Sequence, residues 1–172
     1  ILAWRMAISL PFFAAVGAYE WLRRRREGKP PPKPQAVMGA AAIGLIGYYL
    51  AMVLDFVGLR FVTAQLERLA LFTYPIFLIF IGAAFFGMRL TKPAIVAAAV
   101  SYLGLAFVFT TDFKIGGSHV VLGSLLVLGS AISFAVYQLL AKGYIAEIGS
   151  TLFTSVALSA AALATLVHVF IA

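Results

Sequence analysis

The sequence contains no cysteine and few charged residues. Of its 172 residues, Asp, Glu, Lys and Arg together make up only 11%. Without cysteine, disulfides, thiol nucleophiles and cysteine-ligated metal sites are excluded. A soluble domain needs about a quarter of its residues charged, and this chain cannot supply such a surface. Because 63% of the residues are hydrophobic, the composition indicates that lipid surrounds the protein.

Apolar runs long enough to cross a bilayer recur along the chain. A transmembrane helix needs about 20 consecutive apolar residues. The runs lack the alternating polarity of barrel strands, and backbone groups in hydrocarbon must be satisfied within their own segment. The sequence therefore predicts an all-α polytopic membrane protein, a bundle of about six transmembrane helices. The predicted spans are 1–22, 36–54, 63–86, 93–111, 119–141 and 151–172.

Motifs for cofactors and soluble catalysis are missing from the sequence. His119 and His168 have no companion at ligand spacing, so no metal site is expected. No phosphate-binding loop or nucleotide fingerprint occurs, and no cofactor is expected. Because both ends lie inside apolar spans, we expect the sequence to be a fragment of a longer membrane protein.

Basic residues predict the orientation of the spans. The only long polar segment, "RRRREGKPPPKPQ" at 23–35, begins with four arginines. Short loops rich in Lys and Arg remain cytoplasmic, so we place 23–35 in the cytoplasm; binding of nucleic acid or anionic lipid is the alternative interpretation of these arginines. The topology determinants are Arg23, Arg24, Arg25 and Arg26. Loops 87–92 and 142–150 are then also cytoplasmic, while 55–62 and 112–118 face outward. On this count the first span enters from outside, so we expect an odd number of spans upstream, of which one further helix is the simplest case.

A longer pattern at residues 48–93 resembles a known family. The stretch "YYLAMVLDFVGLRFVTAQLERLALFTYPIFLIFIGAAFFGMRLTKP" is similar to EamA-type transporters of the drug/metabolite transporter superfamily. Residues 123–142, "GSLLVLGSAISFAVYQLLAK", resemble the opening helix of that family's second repeat. One departure is Gly87-Met88-Arg89, where the family usually has Gly-Glu-Arg.

The resemblance implies ten helices in two inverted five-helix repeats. On that map, residues 1–112 are the first repeat without its first helix, and 119–172 are the first two helices of the second repeat. It also implies a secondary transporter, a permease or exporter of small metabolites, amino acids or drugs, that works by alternating access in a bacterial inner membrane. The expected partners are a small-molecule substrate and membrane lipids, with no nucleic acid; a homodimer stays open.

Glu67 and Arg68 are adjacent charges near the start of an apolar span. Neighbouring residues on a helix point about 100° apart, so each needs a separate partner or contact with headgroups. We predict that Arg68 forms a structural charge pair with Asp55. We expect Glu67 to face a substrate path with Tyr74, two turns deeper on nearly the same face. The alternatives are interfacial anchoring for the charges and core packing for Tyr74.

Ser130, Ser133 and Tyr137 share one helical face by their spacing. They are candidates for lining the same path, with close helix packing as the alternative. An intramembrane lipid-modifying enzyme would instead require paired acids, histidine or a Ser–His set at membrane depth. Apart from Glu20 at the end of the first span, Glu67 is the one acid within a predicted span. This argues against that class and leaves a non-transporting scaffold as the other alternative. No catalytic residues are predicted.

Overall fold

The computed structural model describes the backbone of residues 2–89, 91–116 and 118–171, and the side chains of 4–89, 91–110 and 119–171. The regular elements of these residues are all helical. A π-helical turn at Leu45–Leu50 joins the second helix to the third. The α-helices are α1 (Leu2–Arg26), α2 (Pro34–Gly44), α3 (Ala51–Gly58), α4 (Ala64–Leu71), α5 (Tyr74–Phe86), α6 (Lys92–Gly116), α7 (Ser118–Ile148) and α8 (Ser150–Ile171).

Five helical stretches of the described chain are long and apolar enough to cross a membrane. They confirm the five later predicted spans, and α1 occupies the first predicted span as a 25-residue helix. The all-α membrane architecture is therefore confirmed. The five stretches are Pro34–Gly58, Ala64–Phe86, Lys92–Thr110, His119–Ile148 and Ser150–Ile171.

Four predicted loops are shorter in the structure than the sequence suggested. α1 continues to Arg26, into the predicted loop 23–35, and α3 continues to Gly58, into the predicted loop 55–62. α6 continues to Gly116 and α7 already begins at Ser118, so most of the predicted outward loop 112–118 is helical. Gly117 and the side chain of Lys114 lie outside the described residues. α7 also continues through most of the predicted loop 142–150, and the turn into α8 is made at Gly149, whose φ of +80° suits glycine.

The chain divides into two compact units, which do not follow the predicted repeats. One unit comprises residues 1–49 and 140–172, the other 50–139. Repeats are defined by recurrence along the sequence rather than by contacts, so the division into 1–112 and 119–172 stays a prediction.

In the unit of residues 1–49 and 140–172, both α1 and α2 pack against α8. Small residues allow the close approach. A Cβ built on Gly44 would lie 2.5 Å from the Cα of Ala157, and one on Gly17 would lie 3.2 Å from the Cβ of Ser155. Ala157 and its neighbour along the helix face, Ala161, are buried. Close backbone contact replaces the hydrophobic driving force that helices lack in lipid.

In the unit of residues 50–139, α3 crosses α7 at two glycines. A Cβ on Gly58 would lie 3.0 Å from the main-chain oxygen of Gly123, and the reverse distance is also 3.0 Å. α3 ends at this contact, and the chain then turns into α4. Within this unit, the last residues of the second predicted span, 50–54, lead to this contact with α7, whose buried face carries the predicted polar residues.

The span 64–86 is interrupted two turns after its start. α4 ends at Leu71 and α5 begins at Tyr74, with Pro75 in its first turn. The buried Thr73 donates a hydrogen bond from Oγ1 to the main-chain oxygen of Ala70, 2.6 Å away. Because proline lacks an N–H, the helical ladder is broken at this point, and interrupted spans are a feature of transporter binding sites.

Candidate functional site

Asp55 and Glu67 meet at the corner between α3 and α4. Asp55 lies in the last turns of α3 and Glu67 in the first turn of α4. Thr63 caps α4, its Oγ1 accepting a hydrogen bond from the backbone N–H of Leu66 at 3.2 Å, which fixes where the helix starts. The turn brings the carboxyl group of Asp55 next to that of Glu67.

This carboxyl pair is largely withdrawn from the surface. Glu67 is only 8% exposed. The Oδ1 atom of Asp55 is inaccessible and has no hydrogen-bond partner.

The structure does not join Asp55 to Arg68. Arg68 is exposed, and no ion pair among the described residues involves it. The expected divergence of the adjacent side chains is present, because Glu67 turns inward while Arg68 turns outward. What differs is the partner of Asp55: packing at the α3–α4 corner directs it to the buried acid rather than to the exposed base.

Tyr74 lies beside the polar face of α7. The ring of Tyr74 meets that of Phe134 edge-on, with the ring centroids 5.3 Å apart. The ring of Phe134 in turn stacks on that of Tyr137, with a centroid distance of 5.6 Å. Both predicted serines of this face are buried, Ser130 at 3% exposure and Ser133 at 8%, and Tyr137 is 7% exposed. The structure therefore brings Tyr74 and Tyr137 to the same ring cluster and turns the serines inward.

Sequence reasoning missed two members of this region. Phe134 connects the two tyrosines, and its place between Ser130 and Tyr137 on the helix could have indicated it. Thr73 precedes Tyr74-Pro75, and a polar residue two positions before a proline within a span was a usable signal for the helix interruption.

A separate polar contact occurs in the unit of residues 1–49 and 140–172. The hydroxyl of Tyr49, in the π-helical turn, lies 2.8 Å from Nδ1 of His168. The two rings meet edge-on, with their centroids 5.9 Å apart. Neither residue was predicted as a site. Within the described residues no group of three or more His, Asp or Glu side chains could hold a metal ion.

The basic segment that begins in the last turn of α1 makes local ion pairs. The carboxylate of Glu27 forms ion pairs with Nζ of Lys29, 2.7 Å away, and with Nε of Arg23, 2.8 Å away. Hydrogen bonds from Lys29 first, and then from Arg23, hold the pKa of the Glu27 carboxyl below its usual value. Of the four predicted topology arginines, Arg25 and Arg26 are exposed, while Arg24 is turned toward the end of α7.

Comparison with known proteins identifies the family. Residues 1–110 match the EamA-like transporter family. The chain belongs to this family. It is also 25% identical, over 98% of its length, to an uncharacterized transporter of Bacillus subtilis (strain 168), YcbK, and spans 53% of that relative. No solved structure gives a significant match. The protein is thus an integral membrane protein of a transporter family, as the resemblance implied.

Proposed function

We propose that this EamA-family protein is a secondary transporter of small metabolites, amino acids or drugs that works by alternating access. The proposal includes a bacterial inner membrane as its location, with loop 23–35 on the cytoplasmic side. Its support is the family match and the name of the relative, which describes a transporter. No ATP-driven step is proposed, because the sequence carries no nucleotide-binding motif.

The observation that carries the proposal is the arrangement of polar side chains within the spans of residues 50–139. Glu67 is buried near the start of the interrupted span, and Tyr74 stands at the interruption. Tyr74 contacts the aromatic pair of α7, on whose buried face Ser130 and Ser133 also lie. Polar and ionisable groups inside spans are unfavourable in lipid and mark solute paths in many membrane proteins.

An intramembrane enzyme is the second candidate, favoured by one observation. Such an enzyme needs paired acids at membrane depth, and Asp55 and Glu67 are paired. The family match weighs against it, because the matched family is described as transporters. The two candidates differ in outcome: a carrier returns its solute chemically unchanged on the other side of the membrane.

The test is solute movement by the complete protein in proteoliposomes. We would use radiolabelled amino acids as a mixture and, separately, the fluorescent cation ethidium, comparing vesicles with protein to empty vesicles. Accumulation of at least one probe, recovered unchanged by chromatography, is the expected result. Preloading with the unlabelled probe should accelerate uptake, as expected for a carrier that exchanges solutes. Failure of both probe classes to move faster than in empty vesicles would contradict the proposal.

A further inference from the structure

We propose that the end of α1 binds an anionic phospholipid, whose phosphate is held by Arg26 and whose acyl chains lie along an apolar stripe of the same helix. This binding does not depend on the transport function proposed above. Only the choice of leaflet, the cytoplasmic one, rests on the proposed orientation of segment 23–35.

The apolar stripe runs along one side of α1 and is uncovered by the part of the chain that the structure describes. Its large side chains, which are 55% to 75% exposed, include Trp4, Ile8, Phe12 and Leu22. At about 100° per residue, these four positions fall within about 80° of one another around the helix. Gly17, which approaches Ser155 of α8, lies on the opposite side. The stripe therefore faces away from α8, the helix against which α1 packs.

Arg26 lies at the charged end of this stripe. It follows Leu22 by four residues, so the two side chains are neighbours on the helix surface. Arg26 is exposed and joins no ion pair among the described residues. A guanidinium can bind a phosphate through two parallel N–H···O hydrogen bonds. The stripe and Arg26 thus match the two parts of a phospholipid, its apolar chains and its charged phosphate.

The other three arginines of the segment differ from Arg26 in partner or direction. Arg23 is held in an ion pair, and Arg24 donates a hydrogen bond to the main-chain oxygen of Ile148 at the end of α7. Arg25 is exposed like Arg26, but it lies about 100° away around the helix. Arg26 therefore combines the direction of the stripe with a guanidinium that no described acid neutralises.

The length of the stripe suits a lipid of one leaflet. One leaflet contributes about half of a hydrocarbon core that is about 30 Å thick. Leu22 and Phe12 are ten residues apart, which corresponds to about 15 Å along a helix. Acyl chains that start at the level of Arg26 therefore pass Leu22 and end near Phe12.

The charge of the surrounding segment favours an anionic headgroup. Residues 20–33 contain six basic side chains and two acidic ones, and basic segments next to membrane spans attract anionic lipids. A phosphatidylcholine headgroup carries a quaternary ammonium, which this positive surface repels. A phosphatidylglycerol headgroup carries the phosphate charge alone, so it should be preferred.

Native mass spectrometry of the complete protein in detergent measures lipid binding directly. The protein would be titrated with phosphatidylglycerol and, separately, with phosphatidylcholine of the same chain length. We expect the wild type to bind phosphatidylglycerol more tightly than phosphatidylcholine. Arg26→Gln should bind phosphatidylglycerol roughly tenfold more weakly, as expected for the loss of one hydrogen bond from a charged group. Phosphatidylglycerol should also raise the melting temperature of the wild type more than that of Arg26→Gln.

Arg25→Gln is the matched control, because it removes the same charge from the adjacent, equally exposed position. It should bind phosphatidylglycerol almost as tightly as the wild type. Equal losses in Arg25→Gln and Arg26→Gln would overturn the site and show that only the net charge of the segment attracts lipid. Equal binding of both lipids by the wild type would also overturn it, and so would the absence of bound lipid because another helix or a second copy covers the stripe. Melting curves without added lipid verify that the variants are folded.

The role of the stripe has its own readout. Short-chain phosphatidylglycerol keeps the phosphate contact with Arg26 but does not reach Phe12, so the wild type should bind it severalfold more weakly than the long-chain lipid. Equal affinities would overturn the part assigned to the stripe. These measurements need no transported solute, so failure of lipid binding and failure of the transport proposal can be told apart.

Discussion

The guanidinium of Arg24 donates a hydrogen bond from Nη2 to the main-chain oxygen of Ile148, 2.5 Å away and 124 residues later in the sequence. Ile148 is the last residue of α7, and its carbonyl is one of those that a helix end leaves without an internal partner. A cation at this end also complements the helix dipole. Arg24 therefore connects the end of α1 to the corner between α7 and α8.

Replacing Arg24 should destabilise the protein. A hydrogen bond from a charged group contributes about 1.5–3 kcal/mol, and we expect the lower end of that range because the side chain remains 17% exposed. Arg24→Gln should therefore lower the melting temperature by several degrees. Arg25→Gln removes the same charge from an exposed neighbour and should change the melting temperature little. Equal losses in both variants would show that the net charge of the segment matters rather than this contact.

The contact of Gly44 with α8 gives a second stability prediction. A Cβ at this position would lie 2.5 Å from backbone atoms of Ala157, so α2 and α8 must separate. Overpacking of this kind costs about 1–3 kcal/mol. Gly44→Ala should lower the melting temperature measurably. Gly104→Ala is the control, because a Cβ there meets no atom within 4 Å; similar losses in the two variants would point to helix propensity or lipid contact instead.

The sequence predicted the spans but not the partner of Asp55. Hydropathy is a local property, so each span could be read from its own residues. The contact between Asp55 and Glu67 depends on how the α3–α4 corner is packed, which no local pattern encodes. Sequence reasoning chose Arg68 because opposite charges attract, whereas burial of Glu67 and exposure of Arg68 decide the outcome.

The polar face of α7 was likewise predicted from the sequence only in part. Helical spacing correctly predicted that Ser130, Ser133 and Tyr137 share a face, and all three are buried. Phe134 was missed because an aromatic residue in an apolar span is unremarkable until its neighbours across the bundle are known. Its contact with Tyr74 requires the interruption between α4 and α5, a tertiary feature.

The orientation of the spans can be tested by labelling single cysteines, since the chain has none of its own. Lys29→Cys lies in the basic segment and Arg60→Cys in the turn between α3 and α4. An impermeant thiol reagent applied to intact cells should label position 60 and not position 29, because loops rich in basic residues remain in the cytoplasm. After cells are opened, position 29 should become reactive. Labelling of position 29 in intact cells would reverse the predicted topology.

The hydroxyl of Tyr74 should matter for transport more than for folding. Tyr74→Phe keeps the ring that meets Phe134 at 5.3 Å and removes only the polar atom at the helix interruption. We expect an unchanged melting temperature and slower transport, or a higher apparent KM, in proteoliposomes. Tyr19→Phe is the control, because Tyr19 is 68% exposed on α1. Unchanged kinetics in Tyr74→Phe would assign its hydroxyl no part in the solute path.

Glu67 and Arg68 provide the sharpest comparison, because they are adjacent in the chain and opposite in burial. Glu67→Gln keeps the shape of a buried side chain and removes its charge, so transport should fall severalfold while the folded yield remains. Arg68→Gln alters an exposed side chain with no ion pair in the described structure, so both its yield and its transport rate should match the wild type. Normal transport by Glu67→Gln, normalised to folded protein, would reduce the buried carboxylate to an anchor near the membrane interface.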